Sequence, residues 1–138
     1  MTTRYLIDKS ALARRTKPAV REVVDPLHLR GLLAITGAVK IEMMHSARDK
    51  AEAARLAGFL DAFDYLPCPD EAWDRAVEVQ QLALQGGFHR ALSMADLLIS
   101  ATAERHGATV LHYDGDFEMI ASLTGQPHRW VVTPGTAD

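Results

Sequence analysis

Acidic residues follow two short apolar stretches of this sequence, at the points where a buried strand would end. Asp8 comes directly after residues 5–7, and Asp114 and Asp116 come shortly after residues 109–112. Carboxylate oxygens are hard ligands, which favour Mg²⁺ or Mn²⁺ over zinc. Such an ion would activate water for in-line displacement at phosphorus, so these acids predict metal-assisted phosphoryl chemistry.

Two further acids, Glu42 within VKIEMMHSA and Asp96 within SMADLLISATA, lie in largely apolar helical segments. An unpaired charge in a core costs several kcal/mol, and converging carboxylates usually bind a divalent cation. We therefore expect Asp8, Asp96 and Asp114 to bind the ion directly or through water. Glu42 would be a further ligand or the base that orients the attacking water, with Asp116 as an auxiliary acid at the metal.

Each acid also has an ordinary structural explanation, which stays open from the sequence alone. Asp8 would cap the helix that follows it, and Ser93-x-x-Asp96 fits a capping box. The two acids around Gly115 are typical turn residues, and Glu42 would face solvent. What favours a shared site is that four separate elements supply these acids.

Helical and strand patterns alternate along the chain, which predicts an α/β fold: a three-layer α/β/α sandwich with a mostly parallel central sheet. Ligands of such sheets bind at the carboxyl ends of the strands, where the acids stand. Asp70 is expected to cap one helix and Gly107 to end another. Strands are expected at 5–7, 32–35, near 65, at 109–112 and at 130–132, and helices from about 10 and at 18–30, 37–47, 49–62, 70–85, 93–107 and 117–123.

The composition predicts a single cytoplasmic domain over residues 1–138. The chain has 138 residues, of which 48% are hydrophobic, enough for one core. No segment approaches the roughly 18 to 20 apolar residues of a membrane span. The single cysteine, Cys68, excludes an internal disulfide and suits a packing role.

Charge is distributed unevenly along the chain. Residues 1–50 hold ten Lys/Arg and five Asp/Glu, whereas the remainder holds five and thirteen. This asymmetry suits an anionic polymer that approaches a cation-binding site, although a solvated helix face would also explain it. Candidate contacts to an anionic backbone are Lys9, Arg14, Arg15, Lys17 and Arg90.

Other residue patterns carry less chemistry. The six histidines form no i, i+4 pair, and most are expected at the surface or at strand ends. The chain has neither a GxSxG elbow nor a glycine-rich phosphate loop. The larger apolar residues of the second half are expected to build the core rather than stack on bases: Trp73, Val77, Leu82, Leu84 and Trp130.

Three segments, YLIDKSALAR, VKIEMM and ADLLISATAERHGATVLHYDGDFEMIA, together resemble the PIN-domain ribonucleases, specifically the VapC-type toxins of bacterial toxin-antitoxin pairs. The resemblance spans essentially the whole chain. It implies a metal-dependent endoribonuclease that leaves 5′-phosphate and 3′-hydroxyl ends on transfer RNA, ribosomal RNA or message. It also implies a homodimer and a small antitoxin whose C-terminal segment obstructs the acidic cleft.

The resemblance assigns roles to particular residues. The catalytic acids carried onto this chain are Asp8, Glu42, Asp96 and Asp114, with Asp116 as an auxiliary acid. Ser10 is similar to the hydroxyl that family members place beside the first acid. Lys9 stands where threonine is more usual, and it adds a positive charge that would contact RNA phosphate or point outward.

Two alternatives from other classes remain. A receiver-like phosphoacceptor domain needs an acidic pair after its first strand and an acid after its third, but Asp8 stands alone and LPCPDEAW follows Tyr65. A haloacid-dehalogenase-like phosphatase needs D-x-D where this chain has Asp8-Lys9-Ser10. A catalytically silent RNA-binding PIN fold is also open, although the full set of acids favours catalysis.

Overall fold

The computed structural model describes residues 2–138, along which short strands alternate with helices. A short 3-10 helix, His89–Ala91, precedes the helix at Met94–His106. The strands are β1 (Tyr5–Ile7), β2 (Leu33–Ile35), β3 (Asp64–Tyr65), β4 (Thr109–His112) and β5 (His128–Trp130). The α-helices are α1 (Lys9–Leu12), α2 (Pro18–Leu29), α3 (Gly37–His45), α4 (Lys50–Leu60), α5 (Asp70–Gln85), α6 (Met94–His106) and α7 (Gly115–Thr124).

The five strands form one parallel sheet in the order β3-β2-β1-β4-β5. The central strands β1 and β4 each contain two consecutive apolar residues that are fully buried, Leu6 and Ile7 in β1 and Val110 and Leu111 in β4. Such continuous apolar runs are typical of parallel strands covered on both faces. Helix α6 packs against both central strands, and α5 packs against α6. The predicted α/β sandwich with a parallel sheet is confirmed.

Most predicted elements form, with shifts at their ends. The last strand was expected at 130–132, but it pairs with β4 over His128–Trp130, directly after Pro127. The run of apolar residues favoured the later position, whereas the register with β4 fixes the earlier one. The prediction that Asp70 caps α5 is wrong, because Pro69 occupies the cap and Asp70 is the first helical residue. Gly107 ends α6 in the left-handed conformation, as predicted.

The exposed face of α5 corrects a prediction about the core. These side chains were expected in the core, but the structure exposes them: Trp73 is 49% exposed, Val77 53% and Leu84 56%. The buried stripe of this helix is formed instead by small residues, among them Ala76 and Ala83, which let α5 approach α6 closely. Trp130 and Leu82 are half-buried, and both Trp130 and Cys68 pack against the core as expected.

The segment after β5 folds back and is fixed by Tyr113. The Tyr113 hydroxyl accepts from the backbone N–H groups of Gly135 (2.8 Å) and Ala137 (2.9 Å), and it donates to Asp138 Oδ1 (2.8 Å). Arg14 lies over the Tyr113 ring, 4.5 Å from its centroid, and Nε of Arg14 donates to the Ala137 carbonyl at 2.9 Å. The 131–138 segment is therefore attached beside the end of β4.

Replacing Tyr113 with phenylalanine should reduce the free energy of unfolding by about 1–3 kcal/mol, because the Ala137 amide is buried and would lose its acceptor. Urea denaturation of the purified chain measures this. Tyr65→Phe is the matched control, since that side chain is 52% exposed and should change stability by less than about 0.5 kcal/mol. Equal effects of the two substitutions would contradict the role given to the Tyr113 hydroxyl.

Among residues 2–138, no helix combines the length and the apolar character that crossing a membrane would require.

Candidate metal centre

Asp8 lies at the carboxyl end of β1 and caps α1, as the structural interpretation of the sequence predicted. Its Oδ2 accepts from the backbone N–H of Ser10 at 2.9 Å. The side chain is almost fully buried, and its Oδ1 has no hydrogen-bond partner within residues 2–138. Burial raises the pKa of Asp8, hydrogen bonds from Ser10 oppose this rise, and the Asp114 charge adds to it. One oxygen of Asp8 is therefore hydrogen-bonded, and the other is a buried acceptor without a partner within the described residues.

Asp114 and Asp116 lie where β4 leads into α7. Asp114 is the cap of that helix, and its Oδ1 accepts from the backbone N–H of Asp116 at 2.9 Å. Both side chains are half-buried. The pKa of Asp116 is raised by burial and by the charge of Asp114, while a hydrogen bond with Asp96 lowers it. The capping role and a metal-binding role are compatible, because the cap uses one carboxylate oxygen.

Asp96 enters the same site from the first turn of α6. Ser93 caps this helix, and its hydroxyl accepts from the Asp96 N–H at 3.1 Å, which confirms the predicted cap. Burial, followed by the charges of Asp8, Asp114 and Asp116, raises the pKa of Asp96 to about 7, while a hydrogen bond with Ser93 opposes the rise. Three neighbouring acids therefore act on the charge of Asp96.

Glu42 belongs to the same electrostatic environment. It is half-buried on α3, the helix that follows β2. Burial raises its pKa, and the charges of Asp8 and Asp114 add to the rise, while the positive charge of Lys9 opposes it. Strand order explains the convergence, because β2, β1 and β4 are neighbours and their carboxyl ends meet at one sheet edge.

The donor set fits a hard divalent cation. Asp96, Asp114 and Asp116 each offer a carboxylate oxygen, and these three oxygens all lie within 4.8 Å of one another. The open Oδ1 of Asp8 adds a buried acceptor that lacks a partner within the described chain. Acids that raise one another's pKa are stabilised by a cation, and oxygen-only ligands suit Mg²⁺ or Mn²⁺. Asp116, expected as an auxiliary acid, belongs to this three-acid group together with Asp114.

Ser10 connects two sides of the site. Its backbone N–H and its side chain both hydrogen-bond to Asp8, which favours the charged form of that acid. Its hydroxyl also accepts from the backbone N–H of Tyr113 at 2.8 Å. Ser10 therefore couples the end of β1 to the end of β4, next to Asp114.

The basic residues expected at an RNA backbone occupy two different environments. Arg14 is bound to the 131–138 segment, as is Lys17, whose Nζ donates to the Asp138 carbonyl at 3.1 Å. Arg15 lies over the Phe59 ring, 4.5 Å from its centroid, in a groove that also contains Lys9. Exposed Arg90 lies in the 3-10 helix before α6. Their contacts with RNA stay predictions.

Interpretation of the sequence missed the role of His112. His112 ends β4, one of the strand-end positions expected for most histidines, but its burial and its contact were not predicted. It is fully buried, and its Nδ1 accepts from the Asp114 backbone N–H at 3.1 Å. Its Nε2 lies 2.9 Å from Nδ1 of His128 on β5. The sequence did offer one indication of this burial. Side chains alternate between the two faces of a strand, so His112 lies on the same face of β4 as Val110, which is buried.

Comparison with known proteins gives this arrangement a context. The PIN domain family model matches residues 5–123. Ribonuclease VapC21 of Mycobacterium tuberculosis is 50% identical over 138 residues, covering 99% of this chain and 100% of that protein. Ribonuclease VapC51 of the same organism is 43% identical over 138 residues, covering 100% of both chains.

Solved structures share the fold. A DNA-bound VapBC from Salmonella typhimurium has a TM-score of 0.76 at 17% identity and covers 95% of this chain and 100% of that chain. VapBC2 from Rickettsia felis, bound to a promoter DNA fragment, has a TM-score of 0.74 at 17% identity and covers 91% and 98%. The predicted PIN-type resemblance is confirmed, and the chain belongs to the PIN domain family, among its VapC-type members.

Proposed function

We propose that this chain is a metal-dependent endoribonuclease and the toxin of a bacterial toxin-antitoxin pair. The observation that carries the proposal is the convergence of Asp96, Asp114 and Asp116, whose ligand oxygens lie within 4.8 Å of one another beside Asp8 and Glu42. The full-length similarity to proteins named ribonucleases VapC21 and VapC51 supports the same activity.

The residues of the site divide into ion-binding and proton-accepting roles. Asp8, Asp96, Asp114 and Asp116 would hold Mg²⁺ or Mn²⁺, with Ser10 fixing the orientation of Asp8. When bound, the ion supplies positive charge at the phosphate and lowers the pKa of water. Glu42 accepts the proton of the attacking water at its carboxylate, and its raised pKa makes it a better base for that step. If water attacks and the bond from phosphorus to the 3′ oxygen breaks, the products carry 5′-phosphate and 3′-hydroxyl ends, which is the outcome that the family resemblance implies.

Single-stranded RNA would approach this acidic centre along positive charge. Lys9, directly after Asp8, lines a groove with Arg15 and Arg55. Lys9 also lies close enough to Glu42 to lower the pKa of that acid, so one residue of the groove is near the acidic cluster. Phosphate contacts position a nucleic acid without reading its bases, which is the role proposed for these residues and for Arg90. Arg14 and Lys17 would become available only if the 131–138 segment moved away.

Lys9→Ala should weaken RNA binding and reduce the slope of log affinity against log salt by about one unit, because one phosphate contact is lost. Binding is measured by fluorescence anisotropy with Ca²⁺ in place of Mg²⁺, over several salt concentrations. Arg105→Ala is the matched control, since exposed Arg105 lies in the last turn of α6, away from the cap that holds Asp96. If both variants changed the slope equally, the contact assigned to Lys9 would be wrong.

We propose two protein partners. The solved relatives named above are VapBC assemblies, which supports an antitoxin as the first partner. The second is another copy of this chain in a homodimer. The exposed apolar side chains of Trp73, Val77 and Met94 support that proposal, since such patches mark protein contacts.

Digestion of total RNA by the antitoxin-free protein tests the activity. With Mg²⁺ or Mn²⁺ we expect discrete fragments, which disappear with EDTA and in the Asp8→Asn variant. Sequencing of the 5′ ends identifies the substrate, which we propose to be transfer or ribosomal RNA. Intact RNA in the presence of folded, metal-loaded protein would contradict the proposed activity and favour a catalytically silent RNA-binding protein.

A further inference from the structure

A hydrogen-bonded pair of histidines lies directly behind Asp114. The backbone N–H of Asp114 donates to Nδ1 of His112 at 3.1 Å, and Nε2 of His112 lies 2.9 Å from Nδ1 of His128. His112 ends β4 and is fully buried, while His128 begins β5, the neighbouring strand. The chain of contacts therefore runs from an acid of the metal centre to the edge strand of the sheet.

The hydrogen-bond pattern assigns the proton of each ring. A ring nitrogen that accepts a hydrogen bond carries no proton, so His112 Nδ1 is unprotonated and its hydrogen lies on Nε2. That Nε2–H donates to Nδ1 of His128, whose own hydrogen must then lie on its Nε2. With its one ring hydrogen on Nε2 and an accepting Nδ1, His112 is neutral.

The rings are held by packing as well as by hydrogen bonds. The centroid of the His112 ring lies 5.1 Å from that of Phe117 on α7 and 5.0 Å from that of Trp130 on β5. An apolar residue would fill this space equally well, but it would leave the Asp114 N–H without its acceptor. A histidine at this position therefore provides a hydrogen-bond acceptor for the Asp114 backbone, which core packing alone does not require.

We propose that His112 and His128 are positioning residues for the metal centre: His128 fixes the tautomer of His112, and His112 fixes the backbone of Asp114. The Asp114 carboxylate is thereby kept within reach of Asp96 and Asp116. This inference rests on the proposed function in one respect, because it takes Asp114 as a ligand of the cation. Partners that orient a metal ligand typically change metal affinity or activity by roughly 10–100-fold when they are lost.

Two substitutions of His112 separate its two nitrogens. His112→Asn places an amide oxygen near the position of Nδ1 and keeps an acceptor for the Asp114 N–H. His112→Gln extends its amide toward the position of Nε2 and removes that acceptor. We expect Mn²⁺ affinity, measured by electron paramagnetic resonance on the full chain, to stay within about threefold for Asn and to fall about 10–100-fold for Gln.

Two nuclear magnetic resonance measurements report the geometry without metal or RNA. The ring nitrogen shifts of His112 should show a proton on Nε2 in the wild-type chain and a mixture of tautomers in His128→Ala. The Asp114 amide should exchange slowly with solvent in the wild type and in His112→Asn, and faster in His112→Gln. A purely structural role would reduce the stability of the Asn and Gln variants equally and leave their Mn²⁺ affinities the same.

The outcomes distinguish this inference from the proposed function. Asp114→Asn should itself weaken Mn²⁺ binding, and if it does not, the metal centre proposed above is wrong. If Asp114→Asn weakens binding while folded His112→Gln does not, the positioning role is overturned and the metal centre stands. A wild-type His112 that carries its proton on Nδ1 would also overturn the inference, even if the Gln variant failed to fold.

Discussion

Replacing Asp96 with asparagine should reduce RNA cleavage about a thousandfold. Asp96 is buried at the start of α6 and is one of three acids whose ligand oxygens lie within 4.8 Å of one another. A bound metal ion contributes several kcal/mol of transition-state stabilisation, and each 1.36 kcal/mol is a factor of ten in rate. Asparagine preserves the shape of the side chain, so the loss would come from the missing charge.

Single-turnover cleavage of a defined RNA, at several Mn²⁺ concentrations, measures this effect. Asp74→Asn, an exposed acid on α5, is the matched control and should cleave at the wild-type rate. If Asp96→Asn lost only RNA affinity and kept its maximal rate, Asp96 would contact substrate rather than the ion. A variant with unchanged cleavage would remove Asp96 from the site altogether.

The metal-free protein should lose stability as the pH rises from about 4 to about 7. Burial and the charges of Asp8 and Asp114 raise the pKa of Asp96 from 3.8 to about 7 in the folded state. The folded chain therefore binds this proton more tightly than the unfolded chain does. The stabilisation is complete below the unfolded pKa of 3.8 and is lost as the pH rises through the folded pKa. The loss should be on the order of a few kcal/mol, because a pKa that is higher in the folded state makes folding depend on the bound proton.

Urea unfolding in EDTA at pH 5 and pH 8 checks this dependence. The free energy of unfolding should fall between the two pH values in the wild type and fall less in Asp96→Asn, which cannot ionise. Some loss should persist in the variant, because burial also raises the pKa of Asp8 and of Asp116. Millimolar Mn²⁺ should restore stability at pH 8, since a ligand that binds only the folded state stabilises it. Equal losses of stability in both proteins would contradict the claim that the raised pKa of Asp96 causes this pH dependence.

The sequence was sufficient to predict the sheet and the edge at which the acids stand. Asp8 and Asp114 each follow an apolar run, and the alternation of elements made those runs parallel strands. Asp8 and Asp114 come close together only because β1 and β4 are neighbours in the sheet. The apolar pattern of the sequence predicts the strands but not their order. The match of the PIN domain family model to residues 5–123 supports the predicted fold. That residues 1–138 form a single domain stays a prediction.

Features that depend on strand order were not predictable. His112 and His128 are 16 residues apart in the sequence and meet only because β5 pairs with β4 in a particular register. Trp73 was expected in the core because it is large and apolar, but the α5 stripe of small residues faces α6 instead. Arg14 was expected at RNA, and its contact with Ala137 depends on the return of a distant segment.

The acids also show that capping and metal binding need not be alternatives. Asp8 and Asp114 each cap a helix with one oxygen, and the N–H of Asp96 is bound by the hydroxyl of Ser93. These caps fix the backbone at the points where the carboxylates leave it. We infer that the caps help to hold the acids together in the absence of a cation.

The most direct test of the central claim, that these acids bind the ion used in RNA hydrolysis, is Mn²⁺ anomalous diffraction from crystals of this chain. The account predicts an anomalous peak bound by carboxylate oxygens of Asp96, Asp114 and Asp116, with Asp8 bound directly or through water. Manganese–oxygen distances should be about 2.0–2.3 Å, as for hard divalent cations. Crystals soaked in saturating Mn²⁺ with no peak among these residues, or with a peak only elsewhere, would contradict the metal centre and the hydrolytic mechanism built on it.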